Sequence, residues 1–523
     1  MKTIKYILAS LAIVLVAASC VKDLNVTPID PNKNTADKAL VSEQDFEAFL
    51  AGIYTGYATS GYYGPNGDPS IKGLDGGMSQ YIRGLFHLCE LPTDVYVCGW
   101  NDEGVPDVCK MQWDASTGLI YSIYSRMFFQ VAQCNEFIRQ AQQTNLAFES
   151  KDQMIAEARA LRALSYYHAI DNFGNVPFAD ETSVVGSLPG KKTRAELYEW
   201  LETELRDIID NSKLPDPKRG QYGRIDKGAA KMVLAKLYLN AQVYTGTAQW
   251  EKCAGVVKDL MDDGYSLHTT PRGLYTAYQD LFLADNDQCT DEIIFAVQQD
   301  GEDTQSYGVT NYLVFAFTGG SMAPADLGIS SGWSGCRMTP EFYNKFDTVN
   351  DKRAIFWTDG QTLDVTDFGD FTNGIGFQKY KNMKADGTPG KAAGFVDTDF
   401  PVFRYADVLL MAAECALNGS SITTTEGLKA LNDVRARAGM PASNGLSADD
   451  LLDERARELY LELWRRQDLI RFNKFTTADY IWQWKGGVHD GKAVEDYKNL
   501  YPIPASDIMV NPDLEQNPGY NNQ

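Results

Sequence analysis

Small and apolar residues recur at helical spacing over most of the chain, and most densely just after Lys151. Ala156, Ala158, Ala160 and Ala163 fall almost one per turn where EARALRALSYYHAIDNFGNVPF (Glu157–Phe178) begins. Alanine has the best helix propensity and no side-chain entropy to lose. Small residues on several faces also let neighbouring helices come close, so this helix is expected at the centre of a helical array. Asn172, Gly174 and Pro177 supply the residues that end helices.

The same period predicts further helices. Ser42 and Asp45 read as a cap leading into a helix through Phe46, Phe49, Leu50 and Tyr54. Others are expected over Tyr121–Ala141, Ala195–Asp210, Asp226–Tyr244 and Trp250–Asp262, the last two as a hairpin of the size of one tetratricopeptide unit. Residues 265–400 lose the period, with Ile293–Val297 as a short strand. It returns at Phe403 and continues through Leu428–Ala438 and Leu451–Phe472. Within that last helix, DERARELYLELWRRQDLIRF offers Asp453–Arg457 and Glu462–Arg466 pairs at i,i+4, each worth about 0.2–0.5 kcal/mol on a solvated face. The C-terminal YPIPASDIMVNPDLEQNPGY should wrap over the surface.

The expected fold is therefore mostly α, a tetratricopeptide-like helical repeat scaffold with long irregular loops and a few short strands. One domain, 41–523, would hold scaffold at about 41–60, 115–265 and 403–475. Loops at about 61–114 and 265–400 would carry the ligand.

Lys2 and Lys5 precede an apolar run from Ile7 to Ala18, broken only by Ser10 and too short to span a bilayer. This reads as a signal peptide, residues 1–19. Ala17-Ala18-Ser19-Cys20 resembles a lipobox in which Cys20 takes the lipid, with Ala17 standing where leucine is usual; a soluble exported chain is the alternative. Residues 20–40 form the lipidated tether. Val21-Lys22-Asp23 resembles the short charged tract of surface-exported lipoproteins.

A formal charge of −22 argues against nucleic acid as a partner. Eight cysteines follow Cys20, without a CxxC pair that would suggest zinc, and Cys89, Cys98 and Cys109 are close enough in sequence for one local disulfide. The four histidines are scattered, and His168 reads as a hydrogen-bonded core residue. Gly328–Gly332 matches GxSxG, but its flanks supply neither the strand nor the helix of a nucleophile elbow. No carboxylate pair is singled out for glycoside hydrolysis. No cofactor is expected; a structural calcium in an acidic loop such as Asp285–Asp291 is weighed against solvated loop acids.

Aromatic residues make up 12% of the chain, and Tyr62, Tyr63, Tyr96, Trp100, Trp113, Tyr307 and Trp333 lie in polar loops rather than on helix stripes. A sugar ring offers an apolar face to an aromatic platform and a rim of hydroxyls to polar neighbours. Trp100 with Asn101 and Asp102 supplies both, as does Arg83 with Asp75. The alternative is that each aromatic pins its loop to the core.

DLNVTPIDP (Asp23–Pro31), ELPTD (Glu90–Asp94), Glu157–Phe178, FRYADVLLMAAECALNG (Phe403–Gly419), ALNDVRARAG (Ala430–Gly439) and the C-terminal segment together resemble the SusD/RagB family. The resemblance implies a non-catalytic lipoprotein of the outer membrane, facing the exterior. It implies glycan binding and a TonB-dependent outer-membrane transporter as partner. QSYG (Gln305–Gly308) and GISSGWSG (Gly328–Gly335) bring the match close to the family's starch-binding founding member. By motif position that match implies ligand contacts at Asp75, Arg83, Trp100, Tyr307 and Trp333, with Asn101 replacing a nearby asparagine. Cys98 replaces an aromatic of that member's loop, so the arc can be kept while the glycan differs. A lid for peptides or other nutrients, or an outer-membrane glycosidase, are the alternatives.

Overall fold

The computed structural model describes residues 39–521. The signal peptide, Cys20 and nearly all of the tether lie outside them. No described helix is long and apolar enough to cross a membrane.

The chain opens with α1 (Glu43–Thr55), capped reciprocally by Ser42 and Asp45 as the sequence predicts. Next come α2 (Tyr81–Cys89), α3 (Gly118–Gln143) and α4 (Lys151–Phe173). The alanine-rich α4 is buried on all sides from Ala158 to its end, Arg159 apart, with Ala158, Ala163 and Ala169 at 0% exposure. It ends at Gly174, whose φ of 70° suits glycine.

The scaffold continues with α5 (Arg194–Asn211), α6 (Lys227–Leu239), α7 (Trp250–Asp262), α8 (Tyr405–Leu417) and α9 (Thr424–Arg437). From α3 onward each of these helices packs on the next, and α7 continues onto α8 across 142 intervening residues, 263–404. The repeat array is thus continuous in space although the sequence interrupts it. Arg159 and Arg162 of α4 both bind Glu204 of α5, so they serve helix packing. His168 is a core residue as expected: its Nδ1 lies 3.0 Å from the Tyr81 hydroxyl, and burial lowers it to about 4.

Among the described residues, four two-stranded antiparallel sheets decorate the array. Two position the rest: β1 (Tyr96–Cys98) pairs with β3 (Cys336–Met338), and β2 (Ile293–Val297) with β4 (Phe400–Arg404). The second pair ties together the two ends of the insertion between α7 and α8, which is irregular but carries short helices at Ala277–Asp280, Val309–Phe315 and Pro340–Tyr343.

Several expectations need correction. The Leu451–Phe472 segment is two helices, α10 (Ala448–Leu459) and α11 (Arg465–Arg471). Leu461 and Leu463 between them take φ of 57° and 76°. Glu90 of the ELPTD segment accepts the Leu463 N–H, and Asp94 holds Arg465 through two bonds of 2.7 Å. Most charges of this segment are buried, not solvated, and the i,i+4 pairs do not form. Asp453 binds Lys345, Glu462 binds Lys379 and Arg404, and Arg466 binds Asp171. Asp226–Tyr244 breaks at Asn240 into α6 and one further turn. The 61–114 region contains α2, which is core throughout: Gly84 lets it rest on Ile123 of α3, where an added Cβ would lie 2.9 Å from that side chain. The C-terminal segment packs inward at its start, with Tyr501 and Ile503 buried and the Tyr501 hydroxyl on the Leu88 carbonyl, and then runs over the surface as expected, Met509 and Val510 being exposed.

Candidate functional site

Four segments of the chain meet at one groove of about 450 Å³, lined by Asn66, Asp75, Gly77, Met78, Arg83, Trp100, Asp102, Tyr307 and Trp333. Five of the six residues singled out from sequence are therefore together. Asn101 is the exception. It is exposed but outside the lining, and Asp102 takes the place beside Trp100.

Each wall has an identifiable support. The 60–79 loop is closed by Ser60, whose carbonyl accepts from Ser70 N–H and from Arg126, and whose hydroxyl donates to the Gly76 carbonyl. Gly77 has no side chain because Asn66 and Asp75 need its space: an added Cβ would lie 2.8 Å from Asn66 Oδ1 and 3.3 Å from Asp75 Oδ1. Tyr307 is held by its neighbours. Ser306 donates to the Ala58 carbonyl, and Gly308 lies against Gln80, where a Cβ would come within 2.5 Å. Trp333 is fixed through its backbone, its N–H donating to the Phe315 carbonyl at 2.7 Å. That carbonyl ends the short helix Val309–Phe315 of the insertion. Trp100 follows β1 and lies against Gly335, so close that an added Cβ would sit 2.4 Å from two indole carbons.

The aromatic rings form a tilted series. Trp100 and Trp333 have centroids 6.3 Å apart with planes at 49°, and Tyr307 meets Trp333 edge-on at 5.6 Å. Phe395 stacks behind Tyr307 at 5.7 Å.

Arg83 occupies the floor. Its Nη1 donates to the carbonyls of Gly77 and Tyr307, at 2.9 and 3.2 Å, and its guanidinium lies 4.9 Å from the Tyr312 ring centroid. Among the described residues no carboxylate pairs with it. Burial lowers its basicity, yet an arginine stays charged. The groove thus presents a planar cation between aromatic faces, with Asn66, Asp75 and Asp102 at the rim. Such a set can cover the face of a sugar ring and hydrogen-bond its hydroxyls. No residue in it is poised as a nucleophile with its base.

The other loop aromatics divide. Tyr96 and Trp113 are core, Trp113 packing on Tyr501 at 4.7 Å, so for them the pinning role is correct. Tyr62 and Tyr63 are exposed and outside the groove lining. Sequence reasoning missed Asn66, Met78 and the supporting Tyr312 and Phe395. Asn66 has a signal in the glycine-rich loop it shares with Asp75, whereas Tyr312 reads as ordinary helix core.

Serine of the GxSxG match, Ser330, is exposed in a turn after a short 3-10 helix, without the elbow's strand and helix. In the acidic loop Asp285 is bound by Arg272 and Asp291 by His268, and no group of three or more candidate ligands among the described residues is arranged for a metal. The eight cysteines after Cys20 are all buried and carry free thiols in this structure.

The fold and groove define a helical-repeat binding protein of a recognisable class, and the chain belongs to the SusD family. It is 33% identical to the starch-binding protein SusD of Bacteroides thetaiotaomicron, over 99% of this chain and all of that one. The SusD family profile matches residues 355–520. A SusD-like protein, P2, of Formosa agariphila is 25% identical over 77% of this chain and 81% of its own length. Among solved structures, surface glycan-binding protein A of Bacteroides uniformis superposes with a TM-score of 0.70 at 24% identity, covering 91% of this chain and 99% of that one. Its counterpart from Bacteroides thetaiotaomicron, in complex with laminarihexaose, gives 0.69 at 19%, with the same coverage. These two matches bear on the fold. The chain is a binding protein and not an enzyme.

Proposed function

We propose that this chain is a cell-surface lipoprotein, anchored through Cys20 to the outer membrane, that captures oligosaccharides outside the cell. It would pass them to a TonB-dependent transporter in the same membrane. The groove uniting Trp100, Trp333, Tyr307, Arg83 and Asp75 carries this reading.

A starch-like, curved glucan is the first candidate ligand. Successive rings inclined at 49° and 85° follow a chain that bends, whereas a flat ribbon would be met by coplanar platforms. Arg83 supplies a planar donor for neighbouring hydroxyls, and the rim acids accept from others.

Isothermal titration against malto-, laminari- and xylo-oligosaccharides, with peptides as comparison, tests the proposal. Binding of malto-oligosaccharides is expected. Binding to no glycan would overturn it, and release of reducing ends during incubation would make the protein a glycosidase instead.

A further inference from the structure

Cys98 ends β1 and Cys336 begins β3, and the two stand directly opposite in the antiparallel register. The Gly99 N–H donates to the Gly335 carbonyl at 2.8 Å, which makes 99/335 a hydrogen-bonded pair. Cys98/Cys336 is consequently a non-hydrogen-bonded pair. Consistently, the Cys336 N–H turns away from β1, to the Ala316 carbonyl. In such pairs the side chains approach most closely, with Cα atoms about 4.5 Å apart, inside the range that a disulfide spans. The two buried side chains therefore face each other across the strand pair, and the Tyr312 hydroxyl lies 3.5 Å from Cys336 Sγ. Cys89 is engaged elsewhere, with Asn172.

We propose that Cys98 and Cys336 become joined by a disulfide in the exported protein, forming a staple beneath the binding groove. This rests on the reading of the chain as exported, since that compartment permits disulfides. The Cys98 thiolate attacks a sulfur of an oxidised thiol–disulfide oxidoreductase, expelling the donor's other sulfur and forming a mixed disulfide. The Cys336 thiolate then attacks the Cys98 sulfur, making the new bond and releasing the donor as its dithiol. The chain gives up two protons and two electrons, and the donor's disulfide accepts the electrons.

Burial pushes the Cys98 thiol far up, so the exchange takes place while the strands assemble, before the pair is enclosed. Once closed in, the bond is shielded from reductant. It fixes the two strands from which Trp100 and Trp333 extend.

The test is peptide mapping of the full chain, purified from the outer membrane of its own host and alkylated with iodoacetamide under denaturing conditions without reductant. A linked Cys98–Cys336 peptide is expected, about 2 Da lighter than the two unmodified peptides together. Reduction should then lower Tm by several degrees, an effect absent from Cys98→Ser and from Cys336→Ser. Alkylation of both cysteines, or a Cys98–Cys109 link, would overturn the proposal. A linked peptide in a protein that binds no glycan would support the staple while refuting the proposed function; glycan binding with both thiols free would do the reverse.

Discussion

The Trp100 indole N–H donates to the backbone carbonyl of Trp333 at 3.3 Å, joining residues 233 positions apart in the chain. The two platforms of the groove are thus positioned by each other as well as by the scaffold. Disturbing the seat of one should disturb both.

Gly335→Ala is the cleanest disturbance. Its new methyl would lie 2.4 Å from two carbons of the Trp100 ring, so the indole must tilt or lift. Glycan affinity should fall about tenfold, equivalent to about 1.4 kcal/mol, with the helical circular dichroism unchanged. Unchanged affinity by titration calorimetry would refute the tight seating.

Truncating the platforms separately should give a graded result. Trp333→Ala and Trp100→Ala should each weaken glycan binding at least tenfold. Trp100→Ala also leaves its place on Gly335 empty and should cost about 1–2 kcal/mol of stability, as for a half-buried large side chain. Equal Tm for the two variants would contradict this.

Arg83→Lys tests the floor. Lysine keeps the charge but lacks the planar guanidinium, which faces Tyr312 while its Nη1 donates to both Gly77 and Tyr307. Affinity should drop about tenfold or more, and Arg83→Met should do no worse than about another factor of ten. Wild-type affinity for Arg83→Lys would show that charge alone is required.

How much of this was legible depended on the distance over which each feature is determined. Capping at Ser42, the α7 boundaries and the Ile293–Val297 strand follow from nearby residues, and they were readable. Asp75, Arg83, Trp100, Tyr307 and Trp333 were readable as a group only through family motifs, because no spacing in the chain brings them together. Asn101 and Asp102 differ by one residue at the exit of β1, and that choice is made by the turn into Val105, whose N–H donates to the Asp102 carbonyl. The charges of α10 and α11 misled for another reason. Arg353 and Arg404, which neutralise Glu454 and Glu458 from distant segments, are invisible to helical periodicity.

Those buried charges make a prediction of their own. Arg404 donates to Glu462 at 2.7 and 2.8 Å and to Glu458 at 3.0 Å, all three residues at 2% exposure or less. Arg404→Met should cost about 3–5 kcal/mol, because the carboxylates stay buried with one cation fewer. The urea midpoint measures it. A loss under about 1 kcal/mol would mean the network repairs itself through Arg353, Lys379 and Arg437.

His268 should give stability a slope on the alkaline side. Burial alone would lower its basicity, but Asp280 and Asp291 outweigh that and raise it to about 9, from an ordinary value near 6.5. The raised value means the folded state holds the proton more tightly than the unfolded chain. The resulting stabilisation is complete below about pH 6.5 and is lost as pH rises through about 9. It should amount to about 2 kcal/mol, allowing for screening at Asp291, whose side chain is 41% exposed. In His268→Gln the deficit relative to wild type should be largest at about pH 6 and shrink by about pH 10. Comparing the two proteins cancels the opposing and parallel contributions of Asp94, held down at about 2 by Arg465 against its own burial, and of Glu90, which burial pushes up to about 8. A Tm difference that stays constant across that range would show that His268 acts through packing and not through its charge.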